Sequence, residues 1–130
     1  MLYTSETPNN VECSMRATEF FKLLSDDIRL KSILMITEEK ELCVCELMVA
    51  LDEVSQPKIS RHLALLKSAG VLLTRKQKQW VFYAINPNLP RWTQQVLATT
   101  LQENQALISP HLHALQLMGD RPTRMENCCN

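Results

Sequence analysis

The chain has 130 residues, 45% of them hydrophobic and only 2 of them glycine, which suits one packed domain and excludes collagen-like or low-complexity chains. Aromatics are sparse at 5%, so helices are favoured over a β-sandwich. The formal net charge of zero hides a segregation: residues 1–53 carry 11 acidic and 5 basic side chains, whereas residues 54–102 carry no acid and 7 bases. Such a block implies a polyanionic partner, and a phosphate backbone is the commonest one.

The start, MLYTSETPNN, lacks the basic and apolar regions of a signal peptide. No window approaches the roughly 18 consecutive apolar residues of a membrane span, so a cytoplasmic protein without a membrane partner is expected. Five cysteines at uneven spacing (Cys13, Cys43, Cys45, Cys128 and Cys129) then read as ligands, reactive thiols or core groups, not as a disulfide framework.

In chain order, Val11 to Leu24 reads as a first helix. Ser25 with Asp26 and Asp27 signals the start of a second, running to about Thr37. After the polar TEEKE, the stretch LCVCELMVAL reads as a third helix. On a regular helix Cys43 and Cys45 would stand about 200° apart, so one ion could not reach both without unwinding it. The plainer reading of both thiols is small buried hydrophobes.

Asp52 to Val54 form a short turn, and Ser55 caps a fourth helix, QPKISRHLALLKSA, with Pro57 in its first turn and Gly70 at its C′ position. Ile59, Leu63 and Leu66 form its inner stripe. Gln56, Lys58, Ser60 and Arg61 face away from that stripe, and His62 lies nearer the core edge. The period then changes to 2: VLLTR and WVFYAI are two strands joined by KQKQ. From Asn88 a further helix carries Leu97, Leu101 and Ile108 on one stripe, Pro110 interrupts it, and Gly119 to Asn130 reads as a frayed tail.

Helix, short turn, helix and basic hairpin make a mainly α fold with a small β-hairpin, a winged helix-turn-helix. Its DNA contacts are expected from Ser55, Gln56, Lys58, Ser60, Arg61 and His62 on the fourth helix, and from Arg75, Lys76 and Lys78 at the hairpin tip. A helical hairpin with a merely solvated polar face is the bland alternative. It does not account for turn length, basic hairpin and missing acids together.

ELCVCEL, followed by SQPKISRHLALLKSAGVLLTRKQKQWVFYAI, resembles the arsenical-resistance operon repressors of the ArsR/SmtB family of metal-sensing regulators. FFKLLSDDIRLKSILMI, with Arg29, resembles that family's second-helix signature. The resemblance covers roughly residues 18–90. It implies a homodimer built through the N- and C-terminal helices, within a domain over residues 1–110 and with a C-terminal extension and tail over 111–130. It also implies binding to double-stranded operator DNA at an imperfect inverted repeat, and release when a thiophilic ion binds.

Under that resemblance Cys43 and Cys45 are the ligands for As(III) or Sb(III) as inducer, with no organic cofactor. Close relatives carry a third cysteine where this chain has Met48, so either the third sulfur comes from Cys13, Cys128 or Cys129, or two thiolates suffice, as a methylated arsenical would allow. They also commonly carry glycine at the wing tip, where this chain has Lys78. Cadmium, lead or oxidation are alternative signals for the same fold. Zinc sensing is disfavoured, because His111 and His113 read as surface residues without the pattern of such a site. Catalysis by a Cys–His pair drawn from Cys43 or Cys45 with His62 lacks an oxyanion hole or substrate pocket, so no enzyme is expected.

Overall fold

A computed structural model describes residues 15–128, with side chains described through residue 126. Helix α1 (Ala17–Leu24) leads into α2 (Asp27–Glu39), which begins where Asp26 accepts a hydrogen bond from the Arg29 N–H at 3.0 Å. The cap is therefore Asp26 itself. Ser32, Ile33, Leu34, Met35 and Ile36 are all buried, so α2 is covered on every side and forms the axis of the core. The expected first helix is shorter than its sequence pattern: Met15 and Arg16 precede it, and residues before them lie outside the described part.

The expected third helix begins later than the pattern suggested. Leu42–Cys43 form a short strand, β1, and only Val44–Ala50 are helical, as α3. Strand β1 pairs with β3 (Trp80–Ile85), Leu42 opposite Tyr83 and Cys43 opposite Phe82; β3 pairs in turn with β2 (Leu72–Gln77). The result is a three-stranded antiparallel sheet in the order β1-β3-β2. Two buried residues, too few to show a period of 2, are thereby stitched to the hairpin.

Between α3 and β2 lies α4 (Gln56–Ser68), capped by the Ser55 hydroxyl accepting from the Lys58 N–H at 3.3 Å, with Ile59, Leu63 and Leu66 buried. Gly70, at φ 89°, closes it in the left-handed conformation. The hairpin turn is Lys78-Gln79, and Lys78 holds φ 58°, at the turn position that favours glycine.

Helix α5 (Arg91–Glu103) ends at Asn104, and α6 (Gln105–Gln116) runs through Pro110. The break thus falls six residues earlier than the proline suggested. At Asn104 the backbone departs from helical values, and the Asn104 and Gln105 side-chain amides donate to the carbonyls of Thr100 and Leu101 at 2.9 and 2.8 Å. These carbonyls would otherwise be orphaned at the helix end. Helix α6 also crosses the boundary placed at residue 110.

The expected frayed tail contains a helix, α7 (Arg121–Cys128), packed against α3. Asp120 caps it, accepting from the Thr123 N–H at 3.1 Å, and Pro122 sits in its first turn. Helix pair, three-stranded sheet and flanking helices together make a winged helix-turn-helix.

Candidate thiol site and nucleic-acid interface

Cys43 precedes α3 as its N-cap residue, in extended backbone at φ −96° and ψ 168°, and Cys45 lies in the first turn. The 200° argument fails for that reason: Cys43 does not follow the helical screw. Both cysteines line one cavity of about 510 Å³ together with Val44, Met48, Gln56, Gln79, Trp80 and Val81. The helix need not unwind for both cysteines to line one space.

That cavity touches three functional elements at once. Cys43, Cys45 and Met48 come from the start of α3, Gln56 is the first residue of α4, and Gln79, Trp80 and Val81 belong to the hairpin. Cys43 is 3% exposed and Cys45 is half-buried. Cys45 is disulfide-bonded, and Cys43 is not part of a disulfide. The chain's other cysteines are Cys13 and Cys129, outside the described residues, and Cys128, whose backbone ends α7.

The carboxylates beside the thiols, Glu41 and Glu46, are both paired with arginines. Glu46 is fully buried; it accepts from the Cys43 N–H at 3.0 Å and pairs with Arg124 at 3.0 Å and Arg121 at 3.2 Å. Glu41 takes Arg75 in a two-pronged pair, through Nε at 2.8 Å and through Nη2, and meets Arg121 at 3.2 Å. The Arg75 and Arg121 guanidiniums also stand over the Phe82 ring at 4.6 and 4.5 Å. Three guanidiniums therefore stand against two carboxylates beside the start of α3. Neither Arg121, Arg124 nor Glu46 was a candidate from sequence, although Asp120 followed by Arg-Pro carried the signal of a helix start.

On the outer face of α4, Gln56, Lys58 and Arg61 are exposed and Ser60 is half-buried, its hydroxyl accepting from the Gln56 amide at 2.8 Å. Lys58 pairs with Glu53 at 3.4 Å. Lys76 and Lys78 are exposed at the hairpin tip. Arg75 is different: only 14% exposed and held by Glu41, it points inward and braces the wing.

His62 is also held. The Arg29 Nη1 lies 3.2 Å from its Nδ1, and the His62 Nε2 faces Asp26 at 3.8 Å. Arg29 further donates to the Leu23 carbonyl at 2.7 Å, so this cluster ties α4 to the α1–α2 corner. Burial raises the Asp26 pKa, but the Arg29 N–H and the charges of His62 and Arg29 outweigh it and leave the carboxyl below its usual value. His111, expected at the surface, donates from Nδ1 to the Ala50 carbonyl at 2.9 Å and ties α6 to the end of α3; His113 is exposed. Among the described residues, no helix is long and apolar enough to cross a membrane.

Comparison with known proteins agrees with this architecture. The family described as "Bacterial regulatory protein, arsR family" matches residues 26–72, from the cap of α2 to the start of β2. The chain is 50% identical over 111 residues to the arsenic resistance transcriptional regulator ArsR2 of Pseudomonas putida, covering 85% of this chain and 96% of that protein. It is 52% identical over 79 residues to the arsenical resistance operon repressor of Escherichia coli, covering 61% and 67%. Among solved structures, HlyU from Vibrio cholerae superposes with a TM-score of 0.57 at 31% identity, over 65% of this chain and 86% of that one. Helix pair, wing and sequence thus agree, and the chain belongs to the ArsR family of bacterial regulatory proteins.

Proposed function

We propose that the protein is a homodimeric, cytoplasmic repressor of an arsenic-resistance operon, which leaves its operator when As(III) or Sb(III) binds Cys43 and Cys45. The observation that carries the reading is the shared cavity: Cys43 and Cys45 line it with Gln56 at the start of α4 and Gln79 to Val81 of the wing. An ion drawing the sulfurs together there acts on reading helix and wing at once. The Pseudomonas and Escherichia relatives are named for arsenic and arsenical resistance, which supports the choice of signal.

In this reading Gln56, Lys58, Ser60 and Arg61 enter the major groove of an imperfect inverted repeat, while Lys76 and Lys78 meet phosphates. Ser55 serves α4 as its cap, and His62 and Arg75 position the α4 and wing surfaces without touching DNA. Binding and release are two sides of one coupling free energy, of about 1–3 kcal/mol in typical cases. The dimer is assigned to the N- and C-terminal helices; Phe21 on α1, 51% exposed and beside Trp92 of α5, suits such a surface. In vitro transcription from the protein's own promoter tests the proposal: repression lifted by arsenite supports it, and repression indifferent to arsenite and antimonite refutes it.

A second reading is favoured by the disulfide at Cys45: a repressor of the same fold that responds to thiol oxidation. Release by peroxide with no response to arsenite distinguishes it. Release by cadmium or lead alone would instead assign the site to a divalent ion.

A further inference from the structure

Helix α7 lies outside residues 26–72, the segment that the family description matches, yet one of its side chains is fastened to the wing. Arg121 reaches three elements at once. Its Nη1 donates to the Glu41 carboxylate at 3.2 Å and its Nη2 to the Glu41 backbone carbonyl at 3.1 Å, immediately before β1. Its Nε stands 3.2 Å from the buried Glu46 carboxylate of α3, an ion pair outside hydrogen-bonding geometry. Its guanidinium carbon lies 4.5 Å from the centre of the Phe82 ring on β3. A planar fork of donors can make such a junction, which a single ammonium cannot.

The neighbouring arginines make different connections. Arg75 runs from β2 over Phe82 of β3 to Glu41 beside β1, so it holds the sheet to itself. Arg124 holds α7 to Glu46 and to the Gly119 carbonyl. Of the three, Arg121 pairs with both Glu41 and Glu46 and so joins the sheet to α3 and α7. Toward the tip, a cavity of about 450 Å³ opens between the hairpin, at Gln77 to Trp80, and Pro122, Met125 and Glu126 of α7. Lys78 stands three residues beyond Arg75, about 10 Å along the strand, so a tilt at the base of the sheet is carried out to the lysines at the tip.

We propose that Arg121 is a positioning residue for the wing: it sets the angle at which Lys76 and Lys78 meet DNA phosphates and touches no DNA itself. This deepens the proposed function, resting on its DNA-binding half and not on the ion. The Arg121 guanidinium is shared between two carboxylates and a ring, so its removal changes the aim of the wing and removes no phosphate contact.

The test titrates the reduced, full-length protein onto its own promoter DNA at several salt concentrations. The variants are Arg121→Ala, Arg121→Lys, Arg124→Ala, and Lys76→Ala/Lys78→Ala with and without Arg121→Ala. Alone, Arg121→Ala should weaken binding roughly fivefold and lower the slope of log affinity against log salt by roughly one to two per subunit. Without the two lysines it should change affinity by less than about twofold, because the wing then has no charge to aim. Arg121→Lys keeps the charge but cannot span both carboxylates and the ring, so it should behave like Arg121→Ala. Arg124→Ala should keep the wild-type slope.

Circular dichroism melting verifies that each variant is folded, and Arg121→Lys carries the comparison if Arg121→Ala is not. An unchanged slope in Arg121→Ala, an equal loss with and without the lysines, or wild-type binding by Arg121→Lys would each overturn the assignment. An equal loss of slope in Arg124→Ala would overturn it too, giving the effect to the docking of α7 as a whole. A lysine variant that matches wild type would sink the wing contact and this inference with it. A wild-type protein that does not bind the promoter would sink the proposed function itself.

Discussion

The Arg124 guanidinium of α7 lies 3.0 Å from the carboxylate of Glu46, which is wholly buried at the start of α3. A charge in that position tolerates burial only when paired and hydrogen-bonded, and Arg121 and the Cys43 N–H supply the remaining partners. Glu46→Ala leaves two guanidiniums without their shared anion and α3 without this contact to its cap. The expected loss is about 3 kcal/mol of unfolding free energy, in line with breaking a buried pair. Chemical denaturation measures it, and a loss below about 1 kcal/mol, the value of an exposed pair, would contradict the assignment.

Arg75 and Arg61 should behave oppositely. Arg61→Ala, on the exposed face of α4, should weaken operator binding by about 1–3 kcal/mol with unfolding unchanged. Arg75→Ala removes the Glu41 pair and the contact with Phe82, so it should lower stability and leave the salt dependence of DNA binding intact. Lys76→Ala with Lys78→Ala should reduce the slope of log affinity against log salt by roughly two per subunit. Titrations at several salt concentrations decide among these outcomes.

Cys43→Ser and Cys45→Ser should each retain DNA binding and lose release by arsenite. Cys43 is buried beside Leu42 in a paired strand, yet serine differs by little in volume, so folding should persist. Loss of operator binding in either variant would break the separation between sensing and reading residues.

The Asp26 carboxyl, held below its usual pKa, makes a pH-dependent contribution to stability. A folded pKa lower than the unfolded one gives stability that is fully present above about pH 4 and is lost as the pH falls through the depressed value. Asp26→Asn keeps a capping side chain but cannot ionise, so its stability should vary less with pH below 4 than that of wild type. Melting at pH 3 and pH 6 compares the two proteins. An equal acid loss in both would place the dependence elsewhere.

Much of the fold was legible because local signals agreed with the tertiary structure. Asp26, Ser55, Pro57 and Gly70 marked helix ends, and the change of period at Val71 marked the hairpin. What escaped depended on long-range partners. Strand β1 exists because Leu42 and Cys43 pair with β3, and nothing within two residues announces that. Among its described side chains helix α7 buries one hydrophobe, Met125, so its apolar pattern is weak; ion pairs to Glu41 and Glu46, some 80 residues away, hold it. Arg75 was expected at the DNA because its neighbours are basic; the Glu41 beside it is brought there only by the fold. The cysteines were found by their residue type and the family resemblance. Their shared cavity followed from the extended backbone at Cys43.

In the proposed mechanism, ion binding at Cys43 and Cys45 releases DNA. Fluorescence anisotropy of the reduced protein on its own promoter DNA, with arsenite titrated in under a phosphine reductant, tests it most directly. Anisotropy falling to that of free DNA at near-stoichiometric arsenite, and remaining high in Cys45→Ser, is the predicted result. Tight binding that neither arsenite nor antimonite reverses would rule out release by either ion.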